Sequence, residues 1–254
     1  MLFRSLNEKL SVNLGYASVE RLPSVIELFM NGPHMATGRF EVGDPNLNSE
    51  TSNNLDITFN YQNGEYYGYA SFYITDVDNY IALIDEDEGH DDHGDEHGHG
   101  NLIHANYMQE DAEFDGYEIE FGRTFAVGSG ELDLSFGRDM VNAEFLDGHY
   151  VPRMNPARNI YSLSYKQDDL LFNLSLKDVE KQNDVAEGET VTDGYQMLNS
   201  RLTKTYKMSN DRYLKVTLFG NNLLDEVARN HSSFVKNEVP LPGRNYGLKF
   251  NFKY

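Results

Sequence analysis

The chain has 254 residues, a formal net charge of −20 and no cysteine. The negative charge argues against nucleic acid and anionic lipid surfaces as partners, and a chain without cysteine has no disulfides or thiolate metal sites. The sequence contains no run of about 20 apolar residues that could form a transmembrane helix. Its N-terminus, interrupted by Glu8 and Lys9, is not a signal peptide.

Alternating apolar and polar residues predict β-strands along the whole chain. The segment 169–179 is typical, because its leucine and phenylalanine residues alternate with polar ones. Aspartate and glutamate share the polar faces of other strands, and Asp56, Glu118, Glu120 and Asp133 are expected to face water. The pattern predicts ten strands, at 9–19, 51–61, 65–83, 105–125, 130–141, 157–166, 169–179, 195–207, 211–219 and 244–254.

The connections between these strands alternate in length. Short turns are predicted at 62–64, 127–130, 167–168 and 209–210, and long connections at 20–50, 84–104, 140–155, 180–194 and 220–243. Short turns on one rim and long loops on the other are typical of an all-β, antiparallel up-and-down transmembrane β-barrel. The strands of a soluble β-sandwich would also show alternating apolar and polar residues, but loops of this length do not suit a compact sandwich.

The segment 85–100 reads DEDEGHDDHGDEHGHG and contains only Asp, Glu, His and Gly. It cannot contribute to a core, and its glycines leave the backbone free to wrap around a ligand. Carboxylate and imidazole groups together bind zinc, nickel or copper(II), although an acidic solvated loop with incidental histidines is the plain alternative. The candidate metal ligands are His90, His93, His97, His99, Asp91, Asp92, Asp95 and Glu96, with His104 at the base of the loop.

Three ordered motifs resemble the barrel of TonB-dependent outer-membrane receptors. The first combines R-x-P-S-x-x-E-L with G-D-P-x-L-x-x-E-x-S, the second is G-x-E-x-E, and the third is N-L-x-D followed by a histidine and P-G-R. They fall on Arg21, Pro23, Ser24, Glu27, Leu28, Gly43, Asp44, Pro45, Leu47, Glu50 and Ser52, then on Gly116, Glu118 and Glu120, and finally on Asn222, Leu223, Asp225, His231, Pro242, Gly243 and Arg244.

This resemblance implies about ten C-terminal strands of a 22-stranded barrel in the outer membrane of a Gram-negative bacterium, with short periplasmic turns and long extracellular loops. Residues 1–254 would form a partial barrel domain with no plug or signal peptide, and 84–104 an extracellular loop. The implied partners are the TonB complex, through a missing N-terminal region, the barrel-assembly machinery, through the aromatic last strand, and outer-membrane lipid.

The segments NGPHMATG and RNHSSFVKN, together with the His/Asp-rich loop, look most like the zinc-uptake (ZnuD-type) branch of that family. Zinc or another divalent metal would then be transported cargo, with no tightly bound cofactor. On this resemblance His34 is the candidate ligand of a defined site, while His149 and His231 are expected to form hydrogen bonds within loops. A receptor for siderophore, haem or cobalamin, and a truncated, non-transporting metal-binding β-protein, remain the alternatives. No catalytic arrangement of residues indicates an enzyme.

Overall fold

The computed structural model describes residues 2–86, 102–208 and 212–254. They form one antiparallel sheet in which eleven strands follow one another in chain order, so that each pairs with its sequence neighbour on the main path. The main strands are β1 (Leu2–Ser5), β2 (Leu10–Arg21), β5 (Glu50–Asn63), β6 (Tyr66–Asp85), β7 (Ile103–Val127), β8 (Gly130–Phe145), β9 (Arg158–Gln167), β10 (Leu170–Val179), β11 (Tyr195–Lys207), β12 (Tyr213–Asn221) and β13 (Asn245–Lys253).

All ten predicted strands are present, and the up-and-down order is confirmed. Short turns join β5 to β6, β7 to β8 and β9 to β10, and Gly64, Gly128 and Asp168 in these turns have positive φ angles. The predicted turn at 209–210 lies outside the described residues. The long connections all leave from the opposite rim, which we call the long-loop end of the sheet.

The two faces of the sheet differ as the alternation predicted. Strand register places Leu14, Ile57, Phe72 and Tyr117 side by side across four strands, and large hydrophobic side chains on this face are widely exposed. An exposed apolar face of this extent is unfavourable in water but suits contact with hydrocarbon. The polar face carries Asp56, Glu118, Glu120 and Asp133, which matches the expectation that these residues meet water.

The first long connection contains three short elements that the alternation did not predict. A five-residue helix, α1 (Val25–Phe29), begins with a capping box between Ser24 and Glu27. It is followed by a hairpin of β3 (Asn31–His34) and β4 (Arg39–Val42), which turns at Gly38. Both strands are too short to show a period, and β3 contains a glycine and a proline, which are depleted in strands.

Strand β4 also pairs in parallel with the start of β7, where Phe40 lies opposite His104. This pairing fixes the β3–β4 hairpin over the long-loop end of the sheet. The buried apolar cluster lies at the same end and consists of Ala82, Ala112, Ala143, Phe145 and Val151. The best packed part of the molecule therefore supports the long loops.

Within the described residues, β1 and β13 are the outer strands of the sheet and do not pair with each other. The barrel is thus not closed by this chain. Each unpaired backbone group at such an edge costs several kcal/mol in hydrocarbon, so both edges require a partner strand in a membrane. The helix of the described portion is far too short to span a membrane.

Candidate metal site

The β3–β4 hairpin places His34 beside a buried carboxylate. Nδ1 of His34 lies 2.8 Å from Oε1 of Glu41, and the side chain of Glu41 is only 1% exposed. An ionised carboxylate can only accept hydrogen bonds, so Nδ1 is the donor of this pair and Nε2 is the ring nitrogen left to bind a metal. The His34 side chain is 44% exposed, so this pair presents an oriented imidazole towards solvent.

Glu41 is held in place by two further hydrogen bonds. The hydroxyl of Thr37 donates to Oε1 at 2.7 Å, and the hydroxyl of Tyr107 donates to Oε2 at 3.3 Å. A carboxylate with three donors keeps its orientation, and a carboxylate that fixes the ring of a histidine is the usual support of a metal-binding imidazole. The sequence did not single out Glu41, because its pairing with His34 depends on a hairpin too short to be predicted.

His104 lies on the other face of this small sheet. Its ring stacks on Phe40, with ring centroids 5.1 Å apart, and these two residues are paired across β4 and β7. Successive residues of a strand point to opposite faces, so Phe40 and His104 project away from Glu41 and His34. The fold therefore does not bring the two predicted ligands His34 and His104 to one ion.

The remaining predicted ligands, from His90 to His99, lie outside the described residues, and their role stays a prediction. The structure does describe the residues that flank this segment, up to 86 and from 102. Arg39 and Asp85 form an ion pair whose side chains are 7% and 13% exposed, and Arg39 also lies opposite Ile103 in the strand register. The described residues on either side of 87–101 therefore meet the hairpin that carries His34.

No group of three or more His, Asp or Glu side chains able to hold a metal ion occurs within 2–86, 102–208 and 212–254. The pair of His34 and Glu41 offers one imidazole and its supporting carboxylate, which is a partial ligand set. Zinc sites use three or four protein ligands. Further ligands would have to come from outside the described portion of the chain.

A second polar cluster buries His231, as expected for a structural histidine. Its side chain is completely buried, and Nε2 lies 3.2 Å from Oε1 of Glu189, without the angle of a good hydrogen bond. Nδ1 contacts the Thr192 hydroxyl at 2.8 Å. Lys236 also binds Oε1 of Glu189, at 3.0 Å. The cluster joins the loop after β10 to the loop after β12.

Phe234 links this cluster to the candidate metal site. The guanidinium groups of Arg39 and Arg153 lie 4.7 and 4.2 Å from the centre of its ring. Arg39 also donates to the Phe234 carbonyl at 3.1 Å, and the Arg153 amide donates to Glu189. Four long connections are thereby tied into one network around the hairpin of His34.

His149 differs from His34 in its surroundings. Its Nδ1 lies 2.6 Å from Oδ2 of Asp147, with side chains that are 69% and 45% exposed. The amide of His149 also donates to Asp147, so the expected hydrogen bonding within the loop is present. The hydrogen bond to Asp147 and its charge raise the pKa of His149, which favours the protonated form that cannot bind a metal.

The model of the family described as "TonB dependent receptor-like, beta-barrel" matches residues 2–223. Among solved structures, the copper transporter OprC superimposes with a TM-score of 0.77 at 19% identity, covering 98% of this chain and 38% of that one. The FrpB iron transporter from Neisseria meningitidis (F3-3 variant) superimposes with a TM-score of 0.68 at 16% identity, covering 97% of this chain and 37% of that one. The siderophore receptor PirA from Pseudomonas aeruginosa superimposes with a TM-score of 0.63 at 16% identity, covering 98% of this chain and 40% of that one.

These structures share the fold with this chain, at identities too low to transfer a ligand. The chain spans 37 to 40% of the length of the three proteins named. Their names refer to copper, iron and siderophores, and none of the three names refers to an enzyme. The zinc-uptake branch suggested by the sequence is not distinguished by them.

Proposed function

Because the chain belongs to the TonB-dependent receptor β-barrel family, we propose that the protein takes up a divalent metal ion, with zinc as the expected cargo. Barrels of this family are outer-membrane proteins of Gram-negative bacteria, and this localisation applies to the chain. The energy for uptake would come from the TonB complex, acting through parts of the receptor that lie outside this chain. The barrel-assembly machinery and outer-membrane lipid are the other proposed partners.

The proposal is supported chiefly by the pairing of His34 with Glu41. A buried carboxylate that fixes the tautomer of a half-exposed imidazole is expensive to maintain without a role, and it prepares Nε2 for a metal ion. Neutral nitrogen and oxygen ligands suit zinc, nickel and copper(II). We assign Nε2 of His34 as one ligand of a site at the long-loop end, with Glu41 as the residue that orients it.

The His/Asp-rich loop is proposed to collect metal ions for this site. Eight carboxylates and four imidazoles lie within residues 85–100, and many weak sites raise the local concentration of a cation. The ion pair of Arg39 with Asp85 ties the start of this loop to the hairpin of His34. A captured ion would therefore be released close to the proposed ligand.

Isothermal titration of the intact protein in detergent with zinc chloride near neutral pH tests the assignment. His34→Gln should weaken zinc binding by at least about tenfold, and Glu41→Gln by about tenfold through loss of ring orientation. His149→Gln is the matched control, because His149 also pairs through Nδ1 with a carboxylate but both groups are exposed. It should leave the affinity unchanged.

Equal zinc affinity in the three variants and the wild type would refute the assignment of His34. Copper(II) will bind nitrogen ligands more tightly than zinc in vitro whatever the cargo, so the cargo must be tested in cells. Growth on scarce zinc that depends on the protein and is impaired by His34→Gln supports zinc uptake. If the protein instead supports growth on a ferric siderophore, haem or cobalamin, the alternative class of receptor is favoured. If it supports growth on none of these nutrients, a non-transporting metal-binding protein is favoured.

A further inference from the structure

A separate pocket of about 180 Å³ lies at the long-loop end, where the connection between β12 and β13 folds against β9, β10 and β11. Three cationic side chains line it, together with Tyr195, His231 and two asparagines. Its apolar wall is formed by proline, valine and leucine. The residues are Arg158, Lys177 and Arg229, then Tyr195, His231, Asn155 and Asn230, and finally Pro156, Val179 and Leu241.

The strands place this pocket on the polar face of the sheet. Lys177 lies opposite Ile160 and Met197 in neighbouring strands. It shares a face of β10 with the polar residues Asn173 and Ser175, whereas Leu174 and Leu176 point the other way. The pocket therefore opens on the side that is away from lipid, beside the buried cluster of His231.

The positive charges of this pocket are only partly balanced. Within the described portion of the chain, Lys177 forms no ion pair. The guanidinium of Arg229 donates to the main-chain carbonyls of Lys236 and Asn237, which carry no net charge. Arg158 bonds Asp139 at 2.8 Å, but that pair is partly exposed. None of the described lining residues is an aspartate or glutamate.

This local excess of positive charge runs against the composition of the chain. Lys and Arg number 21 against 41 Asp and Glu in the whole chain, so positive side chains are the minority among its charged residues. Arg158 has Asp139 as its counter-charge, whereas Lys177 and Arg229 have no carboxylate partner within the described portion of the chain, so an anion in the pocket would supply one. Guanidinium and ammonium groups bind carboxylate and phosphate oxygens through charge-assisted hydrogen bonds.

We propose that this pocket binds an anionic group, a carboxylate or a phosphate, with Lys177 and Arg229 as its principal contacts. Arg158 and Tyr195 also line the pocket, and the small volume admits one such group of a larger ligand. The anion either enters alone or arrives as part of a metal chelate. The inference does not depend on the ligation of metal by His34.

The test is isothermal titration of the intact protein with citrate and, separately, with inorganic phosphate. Lys177→Gln should weaken binding of at least one of them by about tenfold, the value of one charge-assisted hydrogen bond. Arg229→Gln should act in the same direction. Arg201→Gln is the matched control, because Arg201 lies opposite Asn173 on the same polar face but does not line the pocket. It should have little effect.

Two outcomes would overturn the proposal: no binding of either anion to the wild type, or equal losses in Lys177→Gln and Arg201→Gln, which would indicate only the general field of the polar face. The affinities for citrate and for zinc citrate distinguish a free anion from an anion that arrives as part of a metal chelate. Lys177→Gln must lower the affinity for each of these two ligands. Zinc chloride alone should bind wild type and Lys177→Gln equally, so a failure of the metal proposal is recognised separately.

Discussion

Tyr67 on β6 lies directly across Gly122 on β7, so closely that a Cβ atom at position 122 would be 2.2 Å from Cζ of the tyrosine. The ring passes over β7 at this glycine, and its hydroxyl donates to Oδ1 of Asp133 on β8 at 2.8 Å. Asp133 also accepts from Thr124 at 3.1 Å. One side chain thus joins three strands of the polar face, and it can do so only because Gly122 has no side chain.

Gly122→Ala should destabilise the barrel by about 1–3 kcal/mol, since the added methyl group must displace the ring of Tyr67 and weaken its bond to Asp133. The measurement is the temperature at which the folded form is lost on gels of unheated and heated samples. Gly137→Ala is the control, because a Cβ atom there would meet its nearest neighbour, the Ile119 carbonyl oxygen, at 3.7 Å. Equal unfolding temperatures for both variants would show that the crossing of Tyr67 does not matter.

Asp85→Asn should open the hairpin of β3 and β4, because it leaves the guanidinium of Arg39 buried without its counter-charge. Breaking a buried ion pair costs about 3–5 kcal/mol, whereas an exposed pair contributes about 0–1 kcal/mol. Hydrogen exchange of the amides of residues 37–42 should therefore become faster. Glu65→Gln, which breaks the exposed pair of Glu65 with Arg123, should leave those amides unchanged. Unaltered exchange in Asp85→Asn would contradict the role of this pair.

The cluster of Glu189 should make the loops sensitive to strong acid. Burial would raise the pKa of Glu189, but the close contact with His231 and the hydrogen bonds from the Arg153 amide and Lys236 outweigh it and lower the pKa from 4.5 to about 2. A lowered pKa stabilises the folded state above pH 4.5, and this contribution is lost as the pH falls towards 2.

Glu189→Gln should therefore unfold at a lower temperature than the wild type near neutral pH, and the difference should shrink as the pH falls from about 5 to about 2. Thermal unfolding over this range of pH measures it. Glu187→Gln changes an exposed residue of the same loop and should match the wild type throughout. A difference that does not vary with pH would mean that the charge of Glu189 is not what stabilises the loops.

Replacing residues 88–100 by a Gly/Ser/Asn segment of equal length should lower zinc capture when zinc is scarce and leave barrel assembly intact. The replacement begins after Asp85 and Glu86, because Asp85 pairs with Arg39 and Glu86 accepts a hydrogen bond from Asn106. Zinc uptake at limiting and at saturating concentration, with the heat-modified gel shift as the assay of assembly, separates the two effects. Lost assembly, or unchanged capture at scarce zinc, would contradict the collecting role.

A peptide of residues 85–104 offers a simpler test of the same loop. Its imidazoles bind metal only when neutral, so zinc binding should be present near neutral pH and fade below about pH 6. Isothermal titration at two pH values measures this. Absence of heat at both would count against metal binding by the loop.

The strands of the sheet could be predicted from the sequence because the alternation of apolar and polar residues is a local property. Segments such as 169–179 show which face meets lipid without any knowledge of their neighbours. The order of the strands followed from the turns, since a two-residue connection leaves only an antiparallel neighbour. The motifs indicated the family in the same way, because each is a short run of consecutive residues.

The short elements of the first long connection could not be predicted. The strand of His34 has only four residues, and β4 gains its position from a parallel pairing with β7, some 60 residues away. Non-local pairing leaves no periodic signal in a segment of this length. The sequence therefore did not identify Glu41, and it did not predict the stacking of His104 on Phe40.

The sequence by itself determined that this chain forms an up-and-down sheet with one apolar face, and it predicted a long loop for the acidic, histidine-rich segment. Only the tertiary structure decided which polar groups meet at the long-loop end. It paired His34 with Glu41, turned His104 to the opposite face and gathered Lys177, Arg158 and Arg229 into one pocket. The reason is physical: alternation is set by neighbouring residues, whereas contacts between loops depend on how distant segments pack.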